Sequence, residues 1–503
     1  MLITTWVGHR LSGKQSTIRE FFLGGRKLPW QAVCGSIIAT EISALTFVGV
    51  PGMIFASGGN FTYLQWGIGS IIARFIVSYW FVKAYYEKEI YSPYDFVGNR
   101  LGETAKRLTS ILFFIGSILG QSVRLLVTAI ILQTVTNLPM ATCILAITVV
   151  AILWTLMGGM TTVIWTDVIQ FGIFVFGGIF ALFMLLSHID GGWSSVVEIG
   201  ESASKFKLID LSTNPALGYT LWVGLLAMPF QNLAAYGTDQ LNTQRMFCCR
   251  NAEDAGKAIR WSSVSLILTL VMLLVGVSLY AFYQQHPPTA AEAAWFAKDA
   301  AYVFPTWITT DLPPGLSGLI LAGAFAAAVS SLDSILAALA QTTLSLFRKP
   351  GSTVGERTES EEKKDVKLSR ILVLGWGIAL GVVAVGMDSM RGDVNLVDLA
   401  FGMVAYVHGP LLAILLFALT QKMRGNPGLW IGAAISFLLT LWVKPDLYNI
   451  LMNFEIITAE QKAALQPKIN FAWMFPIGVF FTYFCGWIWG KLHPGPSKRL
   501  ESI

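Results

Sequence analysis

The stretch LAGAFAAAVSSLDSILAALAQ, Leu321 to Gln341, is apolar enough to lie in a bilayer, yet its middle carries Ser330, Ser331, Asp333 and Ser334. At 3.6 residues per turn, positions i, i+1, i+3 and i+4 fall on adjoining faces of one helix. Four oxygen-bearing side chains therefore project into one sector at mid-depth, a ladder of hard ligands. Ala326, Ala327 and Ala328 just ahead of them leave a neighbouring helix room for close approach. A carboxylate at that depth costs on the order of several kcal/mol unless it is paired, protonated or facing a wet cavity, which marks Asp333 as a functional candidate. The plainer alternative has the serines bonding back to their own helix and Asp333 at a helix end.

Composition agrees with a membrane setting. The chain has 503 residues, 54% hydrophobic and 13% charged, with a mean hydropathy of +0.61; soluble domains carry about 25% charged residues. Judged against about 20 apolar residues per crossing, twelve spans are predicted at 30–57, 62–86, 107–136, 140–157, 163–188, 218–245, 259–284, 314–347, 368–387, 395–419, 426–443 and 471–491. Residues 1–29 read as the remnant of an N-terminal helix and a cytoplasmic loop, without a convincing signal peptide. Alternate loops hold nearly all the Lys and Arg, among them Lys88, Arg107, Arg245, Arg250, Lys349, Lys364 and Lys491. The positive-inside rule places those loops and the C-terminus in the cytoplasm, with the chain in the cell membrane as a multi-pass protein. The segment from Arg348 to Arg370 reads as a solvated cytoplasmic loop, and WSSVVEIGESASKF within 189–217 as a short interfacial helix of no evident chemistry.

Other classes are disfavoured. The net charge of +5 comes from scattered loop residues and forms no basic stripe, so nucleic acid is not indicated. Cys34, Cys143, Cys248, Cys249 and Cys485 have no metal spacing and suggest no disulfide framework. With no HExxH, GxSxG or phosphate loop, no enzyme is expected. The expected partners are a small-molecule substrate and the lipid bilayer, with no obligate protein partner.

Two spans look broken. The first holds Thr40, Glu41, Ser43 and Thr46 followed by Gly49, Pro51 and Gly52; the sixth holds Pro229, Gln231, Asn232, Gly237, Thr238 and Asp239. Such residues interrupt or compete for the helical ladder, and exposed backbone is tolerated in a membrane only where it lines a cavity. The breaks are five spans apart, the arithmetic of an inverted repeat with its binding site at mid-depth. Ordinary proline kinks in an unrelated fold are the alternative. The division expected is a first five-helix repeat over 30–188, an extracytoplasmic loop at 189–217, a second repeat over 218–419, and two additional helices and a tail over 420–503.

ATEISALTFVGVPG (Ala39–Gly52), GGMTTVIWTDVIQ (Gly158–Gln170), AAYGTDQLNTQRMF (Ala234–Phe247), LPPGLSGLILAGAFAAAVSSLDS (Leu312–Ser334) and HGPLLAILLFALTQKMRGNPG (His408–Gly428) together resemble the sodium:solute symporters, the branch of sialic acid, monocarboxylate and sugar carriers. The resemblance implies an all-α polytopic membrane protein with the leucine-transporter-type fold, a 5+5 inverted repeat with flanking helices. It implies Na+ as coupling ion, held by carbonyls of Ala39, Ile42 and Ala327 and hydroxyls of Ser330 and Ser331. An all-oxygen cage suits a hard cation.

Asp167 lies inside the fifth span, where an unpaired carboxylate is expensive; it is either a structural partner for an arginine or, by the resemblance, a ligand of a candidate second ion site with Asp333 and Ser334. Asp333 departs from the family, where a hydroxyl residue is usual, and two carboxylates at one site favour either a tighter ion or a proton acceptor. By family position the substrate pocket is walled by Glu41, Ser43, Thr46, Gln65, Trp66, Gln121, Arg124, Phe230, Gln231 and Asn232. Glu41 is a second departure, since a small polar residue is common there. Arg124 either clamps a substrate carboxylate or pairs with Glu41 or Asp333. His408, next to Gly409 and Pro410, reads as a helix-break residue. The function expected is sodium-coupled import of a small polar organic solute (a sugar, sialic acid or carboxylate) by alternating access, with a proton-coupled symporter of the same fold as the alternative.

Overall fold

The computed structural model describes residues 23–493, apart from 88, 89, 91, 157–159, 348–358, 391–393, 422 and 424. The described chain is all-helical, with one isolated β-bridge between Leu28 and Cys249. Helices occupy all twelve predicted stretches. Eight run unbroken and are long and apolar enough to cross a bilayer, from Phe61–Tyr86 to Phe471–Leu492. Met140–Thr155 is a shorter apolar helix, and two spans are bent pairs: Trp30–Glu41 with Leu45–Phe55 at 51°, and Gly428–Val443 with Pro445–Asn453 at 61°. The sixth span is in three pieces, a π-helical turn Val223–Ala227 followed by Met228–Gly237 and Gln240–Met246.

The eighth span, Leu316–Phe347, and the tenth, Leu396–Thr420, are the most enclosed, with 82% and 78% of their apolar windows buried. The fifth and ninth show 33% and 28% and present Phe176, Phe183, Ile378 and Val382 outward. The serine-rich helix thus lies at the centre, and apolar side chains that would be a liability in water face the lipid.

The breaks arise from local chemistry. After Glu41 the chain leaves the helix at Ile42 (φ −83°, ψ 86°). The Ser43 amide then bonds to the Glu41 carbonyl at 3.1 Å, which takes from Ala39 its usual ladder partner. Ser43 Oγ accepts from the Leu45 amide at 3.3 Å and restarts the helix, which becomes regular only at Val50–Phe55, with Pro51 in its first turn. In the sixth span Asp239 is extended (φ −73°, ψ 125°) and its carboxylate accepts from the Leu241 amide at 2.8 Å, capping Gln240–Met246. Spans two and six meet backbone to backbone at Gly69 and Gly224. A Cβ on Gly224 would lie 2.2 Å from the Gln65 carbonyl oxygen.

Outside the spans, the interfacial segment forms the helix Gly192–Ser202. The segment after Arg348 is helical sooner than the charge pattern suggests: Glu359–Met390 is one helix running into the ninth span. The tenth span passes His408 and Pro410 as one helix, so His408 marks no break. Arg245, counted among the loop cations by sequence, is fully buried.

Candidate functional site: an ion cage and a polar cavity at the helix breaks

A cavity of about 180 Å³ lies between the two breaks, walled by spans one, two, three, six, seven and ten. Glu41, Thr46, Trp66, Gln121, Arg124, Gln231 and Asn232 line it as expected. Ser43, Gln65 and Phe230 are not among its lining. Ser43 is spent on the helix restart; Gln65 ties the outer loop, donating to the Tyr219 carbonyl at 2.9 Å and accepting from the Asp210 amide at 3.2 Å. Phe230 packs into the apolar interior. The cavity adds Ser70, Tyr236, Asp239, Asn242, Thr269 and His408, which the sequence reading had not assigned to a pocket.

Glu41 is held by Arg74, a fully buried guanidinium that also donates to Tyr236 Oη at 2.5 Å and Ser265 Oγ at 3.2 Å and lies over the Tyr236 ring at 4.7 Å. Glu41 therefore pairs with Arg74, and Arg124 takes a different partner, the Thr40 carbonyl at the break (3.0 Å). Gln121 Oε1, Gln231 Oε1, Ser70 Oγ, Asn242 Oδ1 and His408 Nδ1 are buried on the lining with no hydrogen-bond partner in the protein. Buried polar atoms are rarely left so; a polar ligand or water satisfies them.

An aromatic roof closes one end. Trp66 lies 4.8 Å from Tyr219, 5.1 Å from Phe401 and 5.6 Å from Tyr63 between ring centroids, and its Nε1 donates to the Gly218 carbonyl at 2.8 Å. Tyr219 in turn donates to Asp398 Oδ1 at 2.6 Å. At the end of the first span, Lys205 of the 189–217 segment reaches the carbonyls of Ile54 and Ala56, both at 2.7 Å, and that of Phe55 at 3.4 Å, and sits 4.4 Å over the Tyr280 ring. Burial pulls its ammonium down to about 8. No sequence signal distinguishes this lysine from any other in a loop.

Beside the cavity, spans one, five and eight converge on Asp167. Its Oδ1 accepts from Ser330 and its Oδ2 from Ser36, each at 2.5 Å. One carboxylate thereby brings the serine ladder against the first span one turn before its break. Ser330 and Ser331 are buried, and Ala327 lies in the same helix one turn earlier. The residues expected at a second ion site have partners within the protein. Asp167 Oδ2 and Ser334 Oγ are both taken by Arg245 Nη2, at 3.1 and 2.9 Å, while Asp333 has Thr155 as its hydrogen-bonding neighbour. Among the described residues no cluster of three His, Cys, Asp or Glu forms a metal site.

A helical membrane protein with a polar cavity enclosed at two helix breaks is built as a carrier. The model of the sodium:solute symporter family matches residues 21–435, and the chain belongs to that family. It is similar to the sodium/glucose cotransporter of Vibrio parahaemolyticus, 28% identical over 464 residues (87% of this chain, 82% of that one). The sodium/sialic acid symporter of Proteus mirabilis is 24% identical over 450 residues (89% and 88%). Among solved structures, a substrate-bound, outward-open Na+-coupled sialic acid symporter matches with a TM-score of 0.78 at 22% identity, covering 100% of this chain and 97% of that one. A nucleobase-cation-symport-1 family transporter matches at 0.54 and 11% identity, covering 95% and 96%. These likenesses establish the leucine-transporter-type fold. The protein is a multi-pass membrane symporter with Na+ as its coupling ion.

Proposed function

We propose that the protein imports a small polar organic solute of the sugar, sialic acid or carboxylate class together with Na+, by alternating access across the cell membrane. The observation that carries this reading is the cavity between the breaks, whose buried amide, hydroxyl and imidazole atoms have no partner within the protein. Its apolar walls and aromatic roof suit the face of a ring or chain, and its polar atoms suit hydroxyl or carboxylate oxygens. Glu41 is neutralised by Arg74, which leaves Arg124 and Asp239 as the lining groups that discriminate charge.

Na+ would bind where the Ala39 and Ile42 carbonyls of the first break meet the Ala327 carbonyl and the Ser330 and Ser331 hydroxyls. The hydrogen of Ser330 is already given to Asp167, so its lone pairs remain for a cation. Occupation of that cage ties spans one and eight together and favours the state open to solute. The lysine- and arginine-rich loops and the C-terminus would then lie in the cytoplasm, with the aromatic roof closed on the outer side.

A proton-driven carrier is the second reading, favoured by Asp333. Asp333 is a carboxyl buried in the eighth span beside Thr155, with no cation bonded to it by any contact given above. Radiolabelled uptake into proteoliposomes separates the two, using a panel of sugars, sialic acids and short carboxylates with an inward Na+ gradient or with K+ in its place. Uptake of one compound that requires Na+ is the expected result. Uptake indifferent to Na+ but driven by an imposed pH gradient selects the second reading.

A further inference from the structure

We propose that Arg245 is a built-in second cation: a fixed guanidinium occupying the Asp167–Ser334 position, so that the carrier exchanges one Na+ per cycle. The inference rests on the sodium-coupled reading above and goes beyond it in assigning the stoichiometry and the residue that sets it.

The hydrogen bonds form a closed set. Arg245 Nε donates to Ser36 Oγ at 2.9 Å, Nη1 to the Leu241 carbonyl at 2.7 Å, and Nη2 to Asp167 Oδ2 and Ser334 Oγ. Ser36 passes its own hydrogen to Asp167 Oδ2, and Ser334 passes its hydrogen to the Ser330 carbonyl at 3.0 Å. Both carboxylate oxygens of Asp167 and both hydroxyls are therefore engaged, and Arg245 is fully buried. A hard cation needs several oxygen lone pairs converging on one point, and here they converge on the Arg245 guanidinium. A second Na+ at Asp167 would lie against that positive charge in a medium that screens it weakly. Arg245 is accordingly a positioning residue for the remaining site: it fixes Asp167, Asp167 takes the hydrogen of Ser330, and the Ser330 oxygen is left facing the first cage.

The test is equilibrium binding of 22Na+ to the purified full-length chain, with K+ balancing ionic strength. One saturable site per chain with a Hill coefficient of 1 is expected for the wild type. Arg245→Gln, which leaves Asp167 without its cation, should gain a second site, and Arg245→Lys or the double variant Asp167→Asn/Arg245→Gln should return to one. Two sites in the wild type, or a monodisperse Arg245→Gln that still binds one, overturns the proposal while the sodium-coupled reading stands. No saturable binding in the wild type removes both. If Arg245→Gln does not fold, Asp167→Asn decides: retention of one site with affinity lowered about tenfold supports the assignment, and complete loss of the site overturns it.

Discussion

Arg74 meets Glu41 in the cavity wall with no exposure of its own, so each depends on the other for its counter-charge. Removing one partner of a buried pair leaves a bare charge at a cost of about 3–5 kcal/mol, whereas removing both is far milder. Arg74→Met should therefore lower thermal stability markedly, and Glu41→Gln in the same chain should restore most of it; thermal melts of the four proteins in detergent measure the coupling. At the ion cage the expected effect is on affinity. On the proposed cage, Ser331→Ala would remove one hydroxyl ligand and should raise the Na+ concentration for half-maximal uptake by about tenfold or more, roughly 1.4 kcal/mol or above; an unchanged Na+ titration would remove Ser331 from the cage. In the sequence a candidate shows where a polar group stands in an apolar run: Ser330, Asp167 and Gln231 are conspicuous because solvation makes them expensive. The sequence reading failed on partners. Arg245 was placed in a loop because span length does not reveal how far a helix end is submerged, and its partner Asp167 lies 78 residues away.

The breaks in spans one and six frame the cavity, and Pro, Gly and the short polar residues made them legible. The cap on the Ile54–Ala56 end of span one was not, because Lys205 reaches it from 149 to 151 residues away. Lys205→Met keeps the apolar stem and deletes the donors, and should loosen the outer half of span one, read as faster amide exchange over Val50–Phe55. A pH effect follows with a definite sign. The folded state binds the Lys205 proton less tightly (about 8) than the unfolded chain (10.5). Between those values the unfolded state carries more protons, so this lysine's contribution to stability rises with pH and is complete above the unfolded value. The melting temperature of the wild type relative to Lys205→Met should therefore climb from pH 8 upward; a flat difference would place the ammonium in a more solvated setting. At Gly224 a side chain would strike the Gln65 carbonyl. Gly224→Val should abolish solute uptake while 22Na+ binding is retained, because it separates spans two and six and leaves the cage of spans one and eight intact.

For the molecule as a whole, the cavity is roofed by Trp66, Tyr219 and Phe401 and extends toward Asn242, near the other end of span six, and Thr269, midway along span seven. If Na+ favours the state open beyond the roof, Phe401→Cys should react with a membrane-impermeant maleimide severalfold faster in Na+ than in K+. The native thiols are a suitable background, since four of the five are buried. Equal rates in both salts would mean that the ion does not shift this equilibrium. The twelve spans were readable at this scale because hydropathy and length report on the bilayer directly. The polar lining was legible only in part: Ser70, Asn242 and His408 sit in stretches that look like ordinary helix, and only the packing of six spans turns them toward one space.

The Asp167–Arg245 pair also bears on the half of the cycle that carries no cargo. After release, an empty carrier must reset, and a carboxylate stripped of its ion would make that step feel the membrane potential, at about 2.3 kcal/mol per charge per 100 mV. A carboxylate joined to its own guanidinium moves as a dipole. On the proposed one-Na+ cycle, the membrane potential would then act on this pair only through its dipole and on the travelling Na+ through its full charge.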